Sequence, residues 1–111
     1  MQILIAEDDH VSRKTLGTML KKQGHDIVET QDGEQAWQII QEQGAPPLII
    51  LDIIMPNMDG LELCKKNRTK DSRNPPYIIF VTAKTEKEDV IQGLDAGAND
   101  YISKPYEFEE L

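Results

Sequence analysis

The residues of this chain that are best suited to chemistry are polar side chains at the ends of short apolar runs. Three carboxylates stand in a row after the run QILIA, and a fourth follows the run LIIL. A hydroxyl ends a later run, and an ammonium follows the last one. These residues are Glu7, Asp8, Asp9, Asp52, Thr82 and Lys104. Carboxylates bind hard cations, whereas ammonium and hydroxyl groups stabilise phosphoryl oxygens, so the set indicates metal-assisted phosphate chemistry.

The apolar and β-rich runs predict five strands, separated by segments with helical patterns. The predicted strands are Gln2–Ala6, Asp26–Thr30, Leu48–Leu51, Tyr77–Thr82 and Asp100–Ser103. Capping patterns predict that helices begin after Asp32, Asp59 and Thr85. Three apolar residues of the last of these helices are expected to face inward, namely Val90, Ile91 and Leu94.

Strand and helix alternate five times, which predicts a doubly wound α/β fold. We expect a five-stranded parallel sheet with helices on both faces, joined by right-handed crossovers. A fifth helix is predicted to start at Tyr106 and to be cut short at Leu111. The carboxyl ends of parallel strands share one edge of such a sheet, so the polar residues are expected to converge there.

Converging carboxylates require a cation. Two of them about 5 Å apart repel by about 3 kcal/mol at an effective dielectric constant of about 20. The candidate ligands are hard oxygens, without a matching His or Cys, and this favours Mg²⁺ over Zn²⁺. The chain has neither a Walker-type loop nor a glycine-rich nucleotide fingerprint. The phosphate is therefore expected to come from another molecule.

Length and composition narrow the class of protein. The 111 residues are predicted to form one domain, residues 1–111, and the net charge of −8 argues against direct binding to nucleic acid or an acidic membrane. The lone Cys64 excludes an internal disulfide. No apolar run approaches the roughly 20 residues of a membrane span, and no signal peptide is visible, so a cytoplasmic location is predicted.

Four motifs together make the sequence similar to the receiver domains of two-component response regulators. They are the acidic triplet at 7–9, DIIMPNMDG at 52–60, Thr82-Ala83, and GANDYISKP at 97–105. The resemblance covers nearly the whole chain in the order and spacing of the family. It implies a flavodoxin-like fold and a switch that is phosphorylated by a sensor histidine kinase or a phosphotransfer protein.

The resemblance also implies a metal site. Asp52 matches the aspartate that accepts the phosphoryl group and also binds Mg²⁺. Glu7 and Asp8 match the acidic pair that holds Mg²⁺, Asp8 directly and Glu7 through water. They are preferred over Asp9 because an arginine follows Asp8 by five residues, as is usual in the family. The backbone carbonyl of Ile54 is expected to be a further ligand.

The remaining matches imply a switch. Thr82 and the Ala83 N–H are expected to bind phosphoryl oxygens, with Thr82 as the switch hydroxyl and Tyr101 as the switch aromatic. Lys104 matches the lysine that contacts the phosphoryl group. Ile54 lies two residues after Asp52 and has no polar group to orient an attacking water, which predicts a long-lived phosphorylated state.

Two other functions compete with this interpretation. A phosphatase of the haloacid-dehalogenase type also uses a strand-end Asp, Mg²⁺, a hydroxyl and a Lys. That class needs a second Asp at the position of Ile54 and a cap domain, for which there is no room. A phosphorylation-independent pseudo-receiver would lack some of the acidic, Asp and Lys positions that this chain retains. The leading prediction is a switch that catalyses only its own phosphotransfer and dephosphorylation.

The phosphorylated state is expected to control an output domain or a downstream protein, with possible homodimerisation through helix four, strand five and helix five. Two forms of the whole protein are consistent with the sequence: a single-domain regulator, or a receiver excised from a longer protein whose output would be DNA-binding, a cyclase or a phosphatase. The short predicted fifth helix favours the excised receiver.

Overall fold

The computed structural model describes residues 1–69, 75–82 and 87–104, and these contain five strands and four helices. In chain order they are β1 Gln2–Ala6, α1 His10–Lys22, β2 Asp26–Thr30, α2 Gly33–Gln43, β3 Leu48–Leu51, α3 Gly60–Thr69, β4 Tyr77–Thr82, α4 Lys87–Asp95 and β5 Asp100–Ser103. All five predicted strand ranges are confirmed. The predicted fifth helix and its truncation, Tyr106 to Leu111, lie outside the described residues. Within the described ranges, we find no helix with the length and apolar character of a membrane span.

The strands form one parallel sheet with the order β2-β1-β3-β4-β5. The chain first adds β2 on one side of β1 and then places β3 on the other side, so the winding reverses between β1 and β3. In open α/β sheets, this switch point is where ligands bind, outside the carboxyl ends of the strands. The doubly wound parallel fold expected from the sequence is confirmed.

Each face of the sheet carries its own hydrophobic core. Alternate residues of a strand point to opposite faces, and because both faces are covered the strands read as continuous apolar runs. One core joins strand residues to α2 and α3, and its members include Leu4, Ile49, Leu51, Phe80, Ala36, Ile40, Leu63 and Cys64. The other joins the opposite strand face to α1 and includes Ile3, Ile5, Ile50, Val81, Leu16 and Leu20. Together the two cores fix the strand ends that carry the polar residues.

Side-chain caps begin two helices where the sequence predicts them. Asp32 Oδ1 accepts the Gln35 N–H at 2.8 Å at the start of α2, and Asp59 Oδ1 accepts the Glu62 N–H at 2.8 Å at the start of α3. Each carboxylate satisfies a backbone donor that the first turn leaves without a helical partner. The predicted cap at Thr85 lies outside the described residues.

The prediction for the inward face of α4 is wrong for two of its three residues, whereas Val90 is half-buried. Ile91 is 47% exposed and Leu94 is 46% exposed, whereas Gly93 is buried. A Cβ on Gly93 would lie 3.0 Å from the ring of Tyr101 and 3.1 Å from that of Phe80. The helix therefore meets the sheet through a glycine that lets it approach two aromatic rings. This contact turns the neighbouring large apolar residues towards solvent.

Gly60, at the start of α3, is where backbone packs on backbone beneath the carboxyl edge. A Cβ there would lie 2.2 Å from the Asp52 carbonyl oxygen and 2.9 Å from the Phe80 ring. We predict that Gly60→Ala lowers the free energy of unfolding by about 1–3 kcal/mol, because overpacking displaces backbone that cannot yield easily. Urea denaturation measures this. Glu62→Ala, in the same helical turn but exposed, is the control and is expected to stay within about 0.5 kcal/mol of wild type; equal stability of the Gly60 variant would contradict the packing argument.

Candidate functional site

Three charged side chains meet at the carboxyl edge of the sheet. The Lys104 ammonium, just after β5, donates a hydrogen bond to Asp52 Oδ2 at 2.9 Å and another to Glu7 Oε1. Glu7 follows β1 and is 6% exposed, and Asp52 follows β3 and is 8% exposed. Buried carboxylates are costly unless they are paired and hydrogen-bonded, and here one ammonium donates a hydrogen bond to each of them.

Backbone hydrogen bonds fix these three residues just past the ends of the strands. The Asp52 N–H donates to the Ala6 carbonyl at 3.0 Å, and the Glu7 N–H donates to the Thr30 carbonyl at 3.1 Å. The Lys104 N–H donates to the Thr82 carbonyl at 2.8 Å. Each bond continues a parallel ladder by one step, so backbone hydrogen bonds to neighbouring strands hold all three site residues.

The electrostatics of the site shift two pKa values. Burial raises the pKa of Glu7 from its ordinary 4.5 to about 7; the hydrogen bond from Lys104 opposes this rise, and the charge of Asp52 adds to it. Burial lowers the pKa of Lys104, but hydrogen bonds and charges from Glu7 and Asp52 outweigh it, and the net shift is upwards. Lys104 is therefore held charged between two carboxylates that compete for it.

The structure brings Glu7, Asp52 and Lys104 into direct contact. Asp8 is exposed beside Glu7, and Thr82 is fully buried at the end of β4. The Ile54 N–H donates to Asp52 Oδ1 at 3.2 Å, while its side chain is 56% exposed. Ala83, predicted to bind a phosphoryl oxygen, lies outside the described residues.

Tyr101 lies half-buried on β5, with its ring centroid 6.1 Å from that of Phe80. Burial raises the pKa of its hydroxyl, and the charges of Asp89 and Asp52 raise it further. The Tyr101 hydroxyl therefore lies close enough to Asp52 for that charge to contribute to its pKa, although burial contributes most.

The site is suited to a cation by its donor chemistry. In the described part of the chain, no three His, Cys, Asp or Glu side chains are arranged to hold a metal ion. Mg²⁺, however, commonly takes only one or two carboxylates and keeps several waters. Glu7, Asp52 and the exposed Asp8 offer oxygens alone. Burial raises the pKa of Glu7, and the charge of Asp52 raises it further, so a cation here would meet two carboxylates that are costly to keep charged together. A cavity of about 10 Å³ that Glu7, Asp52 and Lys104 help to line has room for about one water.

Arg13 supports the acidic loop after β1, and the sequence did not predict its contacts. Its guanidinium is buried and donates to the Glu7 carbonyl at 2.8 Å, and its Nε lies 3.7 Å from Glu29 Oε1. The guanidinium thus ties the acidic loop to β2. The sequence does indicate that Arg13 is buried, because its spacing from Leu16 and Leu20 places it on the inward face of α1.

Comparison with known proteins gives one family. The sequence pattern described as "Response regulator receiver domain" matches residues 3–111. The "Response regulator MprA" of Mycolicibacterium vanbaalenii is 37% identical over 111 residues, which are 100% of this chain and 47% of that protein. The "Transcriptional regulatory protein AfsQ1" of Streptomyces coelicolor is 39% identical over 103 residues, 93% of this chain and 44% of that protein. The chain therefore spans about half the length of these relatives.

A solved structure agrees with the sequence relatives. The BeF3-activated N-terminal receiver domain of Klebsiella pneumoniae RstA superposes with a TM-score of 0.89 at 29% identity. The match covers 99% of this chain and 91% of that one.

The shifted pKa of Glu7 predicts a pH dependence of stability. In the metal-free protein the folded state keeps the Glu7 proton up to about pH 7, while the unfolded chain releases it near 4.5. Between these values the folded state binds more protons, so this group makes the free energy of unfolding fall as pH rises. Urea denaturation from about pH 5 to about pH 8 should show wild type losing stability relative to Glu7→Gln. The exposed Glu62→Gln should run parallel to wild type; a constant gap between wild type and the Glu7 variant would contradict the shift.

Proposed function

The chain belongs to the response regulator receiver domain family, and from this premise we propose that Asp52 accepts a phosphoryl group from a histidine kinase or phosphotransfer protein. Residues 1–111 would act as a single receiver domain. The observation that carries the proposal is the buried Asp52 at the switch point, held by Lys104 beside a second buried carboxylate, Glu7.

The transfer would proceed by in-line displacement. An Asp52 carboxylate oxygen forms a bond to phosphorus while the bond from phosphorus to the donor imidazole nitrogen breaks, and the imidazole leaves with the electron pair. Such reactions depend on positioning and on stabilising charge at the phosphoryl oxygens. Lys104 supplies an ammonium 2.9 Å from Asp52, and Thr82 supplies a hydroxyl at the end of the next strand. Mg²⁺ held by Glu7, Asp8, Asp52 and the Ile54 carbonyl would neutralise further charge.

The switch would follow from the added charge. A phosphoryl group brings negative charge and strong acceptors to a buried strand end. Thr82, with the Ala83 N–H, would be drawn to it, and Tyr101 would turn into the space that Thr82 leaves. The half-buried position of Tyr101 against Phe80 and Gly93 supports this proposal, since the ring already lies between the interior and the surface.

The output is proposed to be an attached domain or a downstream protein. The name of the relative AfsQ1 indicates transcriptional regulation, and more than half of that protein lies outside the match, which supports an attached output domain. The exposed Ile91 and Leu94 on α4 support a role for the α4–β5 side in homodimerisation. A cytoplasmic location remains a prediction.

Phosphorylation at Asp52 is tested with a small phosphoryl donor. We expect acetyl phosphate with Mg²⁺ to add one phosphoryl group to wild type and none to Asp52→Asn, because the amide is not a nucleophile. Intact mass spectrometry reads the result. Asp59→Asn is the matched control, since Asn keeps the helix cap and Asp59 is exposed in the same loop. Equal labelling of the Asp52 variant would refute the assignment, and labelling on a histidine would do the same.

Lys104 is expected to couple phosphorylation to the switch. Lys104→Ala should still be labelled, because Asp52 remains, but it should show much smaller amide shifts near Thr82 and Tyr101 when beryllofluoride is added with Mg²⁺. The reason is that the ammonium is the group that links Asp52 to the strand carrying Tyr101. Two-dimensional amide NMR measures the shifts, with the exposed Lys65→Ala as control. Shifts of wild-type size in the Lys104 variant would show that Lys104 takes no part in the switch.

A further inference from the structure

The loop that follows Asp52 is fastened to a distant part of the chain. Asn57, in the middle of the loop between β3 and α3, donates from Nδ2 to Asp32 Oδ2 at 2.9 Å. Asp32 stands at the start of α2, 25 residues earlier, and is only 8% exposed. Its other oxygen, Oδ1, accepts the Gln35 N–H. One buried carboxylate therefore caps a helix and holds the loop, with one oxygen for each task.

A second contact reinforces the fastening. The Gly33 N–H donates to the Met58 carbonyl at 3.0 Å, and a Cβ on Gly33 would lie 2.2 Å from that oxygen. Asn57 has φ 68°, a left-handed conformation that Asn tolerates better than most residues. Within the described ranges it is the one residue other than glycine with positive φ. The loop thus makes a left-handed turn at Asn57, next to its contact with α2.

The other end of the same loop touches the proposed reaction centre. The Ile54 N–H donates to Asp52 Oδ1 at 3.2 Å, and the Gly60 N–H donates to the Ile53 carbonyl at 3.0 Å. The backbone that orients the Asp52 carboxylate therefore lies between two fixed points. One is the end of β3, and the other is the contact with α2.

We propose that the hydrogen bond between Asp32 and Asn57, called the clasp below, is a positioning device for phosphorylation of Asp52. It fixes the backbone at Ile53 and Ile54, and through the Ile54 N–H it sets the angle of the carboxylate. Asp32 and Asn57 need not touch the phosphoryl group. The inference rests on the proposed function, since it assigns two further residues to the same reaction.

The clasp can be broken without losing the features around it. Asn57→Gly removes the amide but keeps a residue that accepts positive φ. Asn57→Asp keeps the shape and sets a carboxylate against Asp32. The double variant Asp32→Asn/Asn57→Asp exchanges donor and acceptor, so the bond can form again, and Asn at position 32 still caps α2.

The experiment measures the rate of Asp52 labelling by acetyl phosphate with Mg²⁺ in the full chain, by intact mass against time. We expect Asn57→Gly and Asn57→Asp to be labelled about tenfold more slowly, because a hydrogen bond to a carboxylate is lost and the nucleophile is less well oriented. The exchanged pair should return to within about twofold of wild type. Asp59→Ser is the control, since it alters an exposed cap in the same loop and should be labelled at the wild-type rate.

The matching structural readout is hydrogen exchange of the Ile54 amide in the metal-free, unphosphorylated protein. It should be faster in both single variants and restored in the exchanged pair. Labelling of Asn57→Gly at the wild-type rate would overturn the proposed role of the clasp. Labelling of the exchanged pair as slow as that of Asn57→Asp would do the same. If wild type itself is not labelled, the proposed function fails, and Ile54 exchange alone then decides whether the clasp holds the loop.

Discussion

The contact on which the site depends is the ammonium of Lys104 between the carboxylates of Glu7 and Asp52. Both carboxylates are buried, and adjacent parallel strands place them side by side. Without a cation, their mutual repulsion and the loss of hydration would destabilise the carboxyl edge of the sheet. The upward shift in the pKa of Glu7 shows that one lysine compensates for this only in part. Under the proposed function, a Mg²⁺ ion would supply the further positive charge that these two carboxylates accept.

The strand order makes this contact possible. β1 and β3 are neighbours, so Glu7 and Asp52 lie together, whereas β5 is separated from β3 by β4. The side chain of Lys104 must therefore cross the end of β4 to reach both carboxylates. A lysine suits this task, since its flexible four-carbon stem carries a compact charge across several ångströms. Thr82, at the end of β4, is small and fully buried, and its carbonyl accepts the Lys104 N–H. The residue proposed as the switch hydroxyl is thus joined through the backbone to the residue whose ammonium holds Asp52.

Much of this arrangement could be predicted because it follows from strand ends. Apolar runs bounded by polar residues marked all five strands, and parallel topology then required the polar residues to share one edge. Residues that act across the tertiary structure were harder to predict. The cap at Asp32 has a local signature, but the second oxygen of that carboxylate binds Asn57 in a loop that only the fold brings near. On α4, the period of the apolar residues suggested that Ile91 and Leu94 face inward, whereas close approach through Gly93 decided the orientation. A periodic pattern cannot show which small residue makes a close contact.

The two oxygens of Asp52 are held by different parts of the chain. The carboxylate therefore connects the ion pair with Lys104 to the loop that follows β3. Oδ2 is held by Lys104 from the strand side, at 2.9 Å, and Oδ1 by the Ile54 N–H of its own loop, at 3.2 Å. A carboxylate held at both oxygens cannot rotate freely, so its lone pairs keep one direction relative to the opening of the site. For a reaction that is limited by alignment, this fixed direction lowers the entropic cost of reaching the transition state. Lys104 has three N–H donors, and Glu7 and Asp52 take two of them. Under the proposed function, the ammonium could meet an incoming phosphoryl oxygen while it still holds the nucleophile.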